Sequence, residues 1–168
     1  MTLQEYVDSL PKGKQFALAL RLTKLALPIW AKYSEENTLT YRDTVVGLTH
    51  RVDKELLQNT IEAVETYLSL SKWEKFRDGR RALLKLRVQF DDPVVALQDA
   101  DWELPDEVLK AFYAVCNLID AVIGEDQTTF GDTTIYVSIN QAADALENSK
   151  ALKFDQIHEL IYGQKNGR

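Results

Sequence analysis

One stretch near the middle of the chain constrains the fold more than any other. After Pro105, the residues Val108, Phe112, Val115, Ile119 and Val122 recur at steps of three and four, and Leu109, Cys116 and Ile123 widen the stripe. That spacing lines one side of an α-helix and predicts a buried helix over residues 105–123. Pro105 suits its first turn, Asp106 and Glu107 sit favourably at the positive end of the helix dipole, and Gly124 is a natural stop. A helix this apolar needs other helices around it.

The rest of the chain supplies them. Thr2 and Glu5 have capping-box spacing ahead of Leu3, Tyr6, Val7 and Leu10, and Pro11 and Gly13 then break the chain. From Lys14, residues Phe16, Leu18, Leu20, Leu22, Leu25, Leu27 and Ile29 are apolar on nearly all sides, which predicts a central helix that Pro28 kinks or splits. Tyr41, Val45, Leu48 and Val52 predict a third helix over 40–52. Asp53 can cap a fourth carrying Leu57, Ile61, Val64 and Leu68. Residues 72–88 form a basic segment with Trp73, Phe76, Leu83, Leu84, Leu86 and Val88, and Gly79 weakens helix there without forbidding it. Asp92-Pro93 reads as an N-cap and first helical residue.

Residues 133–145 admit two conformations. The stretch 134–139 has strand composition. Yet Ile135, Ile139, Ala142, Ala143 and Leu146 fit a helix capped by Asp132 or Thr133, and a lone strand would lack a partner. Helix is therefore expected. Phe154, Ile157, Leu160 and Ile161 mark the last helix, ended by Gly163. The expected fold is all-α: a single-domain, irregular bundle of about eight helices over 1–163, with 164–168 a frayed tail. Leu22, Leu25, Val115 and Ile119 are expected in its core.

Composition narrows function by exclusion. The net charge of -6 opposes general nucleic-acid binding, which draws most of its affinity from basic surface. One cysteine allows no internal disulfide. The N-terminus lacks a basic start followed by an apolar run, so the cytoplasm is the expected location. No apolar stretch reaches a membrane-spanning length. Neither a dinucleotide fingerprint nor a P-loop occurs; Lys12-Gly13-Lys14 lacks the remaining glycine and the hydroxyl residue. His158-Glu159 begins like a zincin motif but carries Tyr162 where the second histidine belongs. The run from Asp99 fails as a calcium loop, with Leu104 at position six and Lys110 at position twelve. Cys116 lies on the apolar stripe and reads as a core residue. No cofactor, metal or catalytic residue is implied, and a non-enzymatic role is favoured.

The charge order is the most individual feature. Residues 72–87 hold seven basic side chains against Glu74 and Asp78; residues 91–107 hold seven acidic ones and no basic one. Two sites follow. Asp99, Asp101, Trp102 and Glu103 could present carboxylates and an aromatic anchor to a basic protein partner. Alternatively, Trp73 with Arg77, Arg80 and Arg81 could hold a phosphate or carboxylate between helices, in a small-ligand-binding protein or an enzyme. The bland reading of both blocks is solvated faces that partly neutralise each other. The oligomeric state stays open.

Leu25-Ala26-Leu27-Pro28-Ile29-Trp30, a polar loop at Ser34-Glu35-Glu36-Asn37, and then Ile61-Glu62-Ala63-Val64 give the chain a resemblance over residues 16–68. It resembles the mostly helical immunity proteins of bacterial polymorphic-toxin systems. The loop departs from that group in lacking an acid followed by Arg-Pro-Arg, and Arg80-Arg81 has no counterpart in it. The resemblance implies a small cytoplasmic protein that binds and neutralises a toxin without catalysis; it carries over no functional residue.

Overall fold

The computed structural model describes residues 1–42, 45–98, 103–124 and 131–163. The described residues form seven helices and one two-stranded sheet. In chain order these are α1 (Leu3–Ser9), α2 (Lys12–Glu36), β1 (Thr40–Arg42), β2 (Thr49–Arg51), α3 (Leu56–Ser69), α4 (72–98), α5 (Asp106–Ile123), α6 (Thr134–Asn148) and α7 (Phe154–Tyr162). The expectation of about eight helices is thus slightly high, because the segment at 40–52 holds a hairpin and the segments expected at 72–88 and from Asp92 are one continuous helix. The tail expected at 164–168 lies outside the described residues.

Three helices make the centre. α5 packs along α6, and α2 packs on both. α3 lies on α2 and α5, with α4 against α3 and α5; α1 and α7 cover α6. α5 is the buried rod its periodicity predicts, with Phe112, Leu118 and Ile119 wholly inside. It ends at Gly124, whose φ of 102° is open to glycine at no steric cost. The ambiguous stretch from 134 is helix, α6. Its Ser138 hydroxyl donates to the Ala114 carbonyl at 2.8 Å, which satisfies a buried polar group across the α5–α6 contact. At the other end of the core, Trp30, Phe90 and Phe112 cluster with ring centroids 5.3–5.4 Å apart. The Trp30 indole donates to the Lys54 carbonyl at 3.0 Å, tying α2 to the approach of α3.

The N-terminal capping box forms as expected, Glu5 N–H donating to Thr2 Oγ1 and Thr2 N–H to Glu5 Oε2. Several other expectations do not hold. α2 starts at Lys12, so Gly13 lies inside its first turn, and it runs on through Ser34 to Glu36, where a loop is expected; of the two outcomes expected at Pro28, a kink or a split, the split does not occur. Leu25 is not core: it is 40% exposed, while Leu18, Leu22, Ala26 and Trp30 are buried. A helix apolar on nearly all sides carries more apolar surface than its three neighbours, α3, α5 and α6, cover. Leu25 is on the side left over, in an open groove with Ala17, Leu20, Leu152 and Leu160.

Residues 40–52 form a hairpin where a helix is expected. Tyr41 pairs with His50, and their rings stack at 5.7 Å. Gly47 adopts φ +69°, which ends any helix there. Leu39 and Val52 close the hairpin's base, Val52 N–H donating to the Leu39 carbonyl at 2.8 Å, with both side chains buried. Val45 and Leu48, half of the supposed helical stripe, are exposed instead. Asp92-Pro93 does not begin a new helix either. The chain stays helical from residue 72 through 98, and Pro93 comes just after the 3-10 turn at Val88–Phe90, where the regular α-helical hydrogen-bond ladder is already interrupted.

Candidate functional site

α4 is built from short pieces. It opens as an α-turn at Lys72–Glu74, widens to a π-helix at Lys75–Gly79, returns to α at Arg80–Arg87, tightens to a 3-10 turn at Val88–Phe90, and ends as α at Asp91–Gln98. Ser71 caps its start: Ser71 N–H and the Ser71 hydroxyl both donate to the Glu74 carboxylate, at 2.9 and 2.7 Å. Those bonds from Ser71 hold the Glu74 carboxyl below its ordinary range.

The π-turn has a packing cause. Gly79 is buried on α3, and a Cβ there would stand 2.9 Å from the Tyr67 ring and 3.0 Å from Leu70 Cδ1. Only a residue without a side chain lets the two helices approach so closely. Lys75 crosses the same seam, its ammonium 5.3 Å from the Tyr67 ring centroid and donating to the Leu68 carbonyl. π-turns within helices recur at functional sites.

The inner side of α4 is anchored by Leu83 and Phe90, both buried, and by Arg87. The Arg87 guanidinium bridges Asp120 of α5 and Asp91 of its own helix. Burial pulls its pKa down, but the bonds and charges of Asp120, Cys116 and Asp91 outweigh that and raise it, so it stays charged.

The outer side is the unusual one. Trp73 is 66% exposed, Phe76 82% and Val88 65%, and Leu84 is also exposed. Together with Arg77, Arg81 and Lys85 they recur at steps of three and four, so they share one outward stripe. Trp73 and Phe76 touch each other, centroids 6.2 Å apart. α4 therefore carries apolar residues on two sides, one spent on the core and one facing out. Scattered exposed apolar residues are ordinary; a contiguous row interleaved with cations is characteristic of an interaction surface.

All four residues of the expected anion site lie on α4, Trp73, Arg77 and Arg81 on the outer stripe and Arg80 turned toward the end of α5. Arg77 is paired with its neighbour Asp78. Arg80 reaches across to the Ile123 carbonyl at 3.3 Å, where it caps the negative end of α5. Arg81 and Trp73 project outward. Of the expected acidic site, Glu103 is exposed, and Asp99, Asp101 and Trp102 lie outside the described residues. Elsewhere in the acidic run, Asp91 is held by Arg87, and Asp106 by Lys110 at 3.1 Å and by Asn148 at 2.6 Å. Phe76, Leu84 and Val88 are members of the exposed row that the charge pattern does not single out. The signal for them is an excess: seven cations and six large apolar residues within residues 72–88 are more than one inward helix face can take.

No family model, curated protein or solved structure matches this chain.

Other chemistry is sparse. No three His, Cys, Asp or Glu side chains stand close enough to hold a metal among the described residues. Cys116 is buried. His158 lies against the Tyr162 ring at 4.4 Å. Two open hollows of about 690 and 620 Å³ flank the outer side of α2 and share Arg21, Leu152 and Leu160; they lie apart from the α4 stripe. No helix among the described residues is long and apolar enough to cross a membrane.

Proposed function

We propose that this chain is a non-enzymatic binding protein that works through the outer stripe of α4. The exposure of Trp73, Phe76, Leu84 and Val88 between Arg77, Arg81 and Lys85 carries the reading. Tryptophan, aromatic and arginine residues dominate interface hot spots, and ordinary surfaces do not align them along one helix. The outward placement of Trp73 and Arg81, and the engagement of Arg77 and Arg80 by protein groups, support a macromolecular contact over an anion pocket between helices.

The narrower form of this reading is a cytoplasmic immunity protein that neutralises a basic toxin. The resemblance over residues 16–68 and the acidic run beside α4 support it, since carboxylates speed the approach of a basic partner. Its expected contacts are Asp99, Asp101, Trp102 and Glu103.

Affinity capture from the native host, quantified by mass spectrometry, tests both forms. A Trp73→Ser/Phe76→Ser variant should keep the wild-type melting temperature and lose the specific partner. A variant with Asp99→Asn, Asp101→Asn and Glu103→Gln should lose a basic toxin if the immunity form is right. Retention of the same partners by both variants would refute the assignment of function to these surfaces.

A further inference from the structure

The outer stripe of α4 has properties that together limit what can cover it. Its apolar members, Trp73, Phe76, Leu84 and Val88, are all exposed. An apolar row at steps of three and four is best covered by the apolar side of a second helix laid along it. Its charged members, Arg77, Arg81 and Lys85, are all cations. Arg77 pairs with its exposed neighbour Asp78, while Arg81 and Lys85 have no ion-pair partner among the described residues. Residues 72–87 thus set seven basic side chains against two acidic ones, in a chain whose net charge is -6.

The stripe is also short. Residues 73–88 span about 24 Å of helix. Beyond Val88 the exposed face turns acidic at Asp91, whose side chain is 60% exposed. An extended anionic surface, whether a lipid plane or a nucleic-acid backbone, continues past that end and meets Asp91 and the acidic remainder of the chain. A free phosphate or carboxylate answers the cations but leaves the apolar row in water. A basic protein is repelled.

We infer that the outer face of α4 is covered by an acidic amphipathic helix of another protein, about four turns long. Its apolar side lies on Trp73, Phe76, Leu84 and Val88, and its Asp or Glu side chains pair with Arg77, Arg81 and Lys85. This rests on the reading of that face as the binding surface and names the chemistry of its occupant. It is independent of the acidic run to which the narrower reading assigns a basic toxin. Charge complementarity and the length of the stripe carry it. Arginine forks take carboxylates in pairs of hydrogen bonds, and the stems of Arg77, Arg81 and Lys85 extend the apolar contact. Trp73 and Phe76, in contact with each other, are the anchor at one end. An interface one helix wide falls short of the roughly 800 Å² per partner of a standard stable complex, so the contact is weak and salt-sensitive.

Two synthetic amphipathic peptides of about four turns serve as probes. Both carry leucine at steps of three and four on a background of alanine and glutamine; one has glutamate beside the leucines and the other lysine. Fluorescence anisotropy of each labelled peptide against the full chain, at low and high salt, reads the binding. The glutamate peptide should bind at least tenfold more tightly than the lysine peptide and weaken at high salt. Trp73→Ser/Phe76→Ser should cost tenfold or more. Arg77→Glu/Arg81→Glu/Lys85→Glu should reverse the preference, a gain that an unfolded variant would not show. Failure of the glutamate peptide to bind at millimolar concentration overturns the inference, as does equal affinity for the two peptides or a preference that survives the charge reversal. Phosphatidylserine vesicles that bind the chain and are lost on Trp73→Ser, where neither peptide binds, overturn it in favour of a lipid surface. A host protein lost on Trp73→Ser/Phe76→Ser but kept by the charge-reversed chain sinks this inference and leaves the proposed function standing.

Discussion

Gly79 is the point at which backbone, packing and the outer stripe of α4 meet, and its replacement by alanine has a sign that can be worked out. In an open helix, Gly→Ala stabilises by about 0.8–1.0 kcal/mol, because alanine has less backbone freedom to lose. At Gly79 the new methyl would stand 2.9 and 3.1 Å from two Tyr67 ring carbons and 3.0 Å from Leu70 Cδ1. Real Cβ atoms essentially never approach so closely. The Tyr67 ring lies against α4 with the Lys75 ammonium 5.3 Å from its centroid, so a shift away from the new methyl disturbs that contact as well. Overpacking of this kind costs roughly 1–3 kcal/mol. The clash outweighs the propensity gain, and Gly79→Ala should destabilise by about 1 kcal/mol, shifting the urea midpoint without changing the slope. Gly13 is the matched control: it also lies in a helix, nothing comes within 4 Å of a Cβ built on it, and Gly13→Ala should be neutral or stabilise by up to about 1 kcal/mol. If Gly79→Ala melts at or above wild type in urea while Gly13→Ala loses stability, the close approach of α4 to α3 is not what the π-turn serves.

Three further outcomes are expected. Val115→Asp buries a carboxylate in the core and should abolish soluble folded protein, whereas Leu25→Asp, at a 40% exposed position, should shift stability by less than about 1 kcal/mol; thermal melts of both variants decide. Arg87→Ala deprives Asp120, at 13% side-chain exposure, of its guanidinium and should cost about 2–3 kcal/mol in chemical denaturation, somewhat under the cost of breaking a wholly buried pair, with Arg87→Met/Asp120→Leu recovering much of it. The Glu74 carboxyl should titrate below the ordinary glutamate range by NMR, and Ser71→Ala, which removes the hydroxyl but keeps the backbone N–H of residue 71, should raise it part of the way back. Because its folded pKa is depressed, its contribution to holding the start of α4 is present above the ordinary glutamate pKa and fades as pH falls through the folded value.

Much of the architecture is legible in the chain because α-helical burial writes itself locally. The stripe from Val108 to Val122 needs only a 3.6-residue period to be read, and α5 is buried as that stripe requires. The Thr2–Glu5 box and the Gly124 stop are likewise matters of a few adjacent residues. Residues 134–148 are helical although 134–139 have strand composition, and the helical spacing of Ile135, Ile139, Ala142 and Leu146 puts all four in the core. The charge order along 72–107 is plain from the residues alone, and it marks the α4 segment as the most distinctive part of the chain.

Tertiary structure decided what periodicity cannot express. Tyr41, Val45, Leu48 and Val52 have helical spacing, yet the hairpin wins because Leu39 and Val52 reach the core together only if the chain doubles back at Gly47. Leu25 has the same local pattern as Leu22 and the opposite burial, since whether an apolar side chain is covered depends on where neighbouring helices run out. The same holds for the outer row of α4. Sequence shows that Trp73, Phe76, Leu84 and Val88 are apolar; only the positions of α3 and α5, which claim Gly79, Leu83 and Arg87, determine which side of that helix is left facing water.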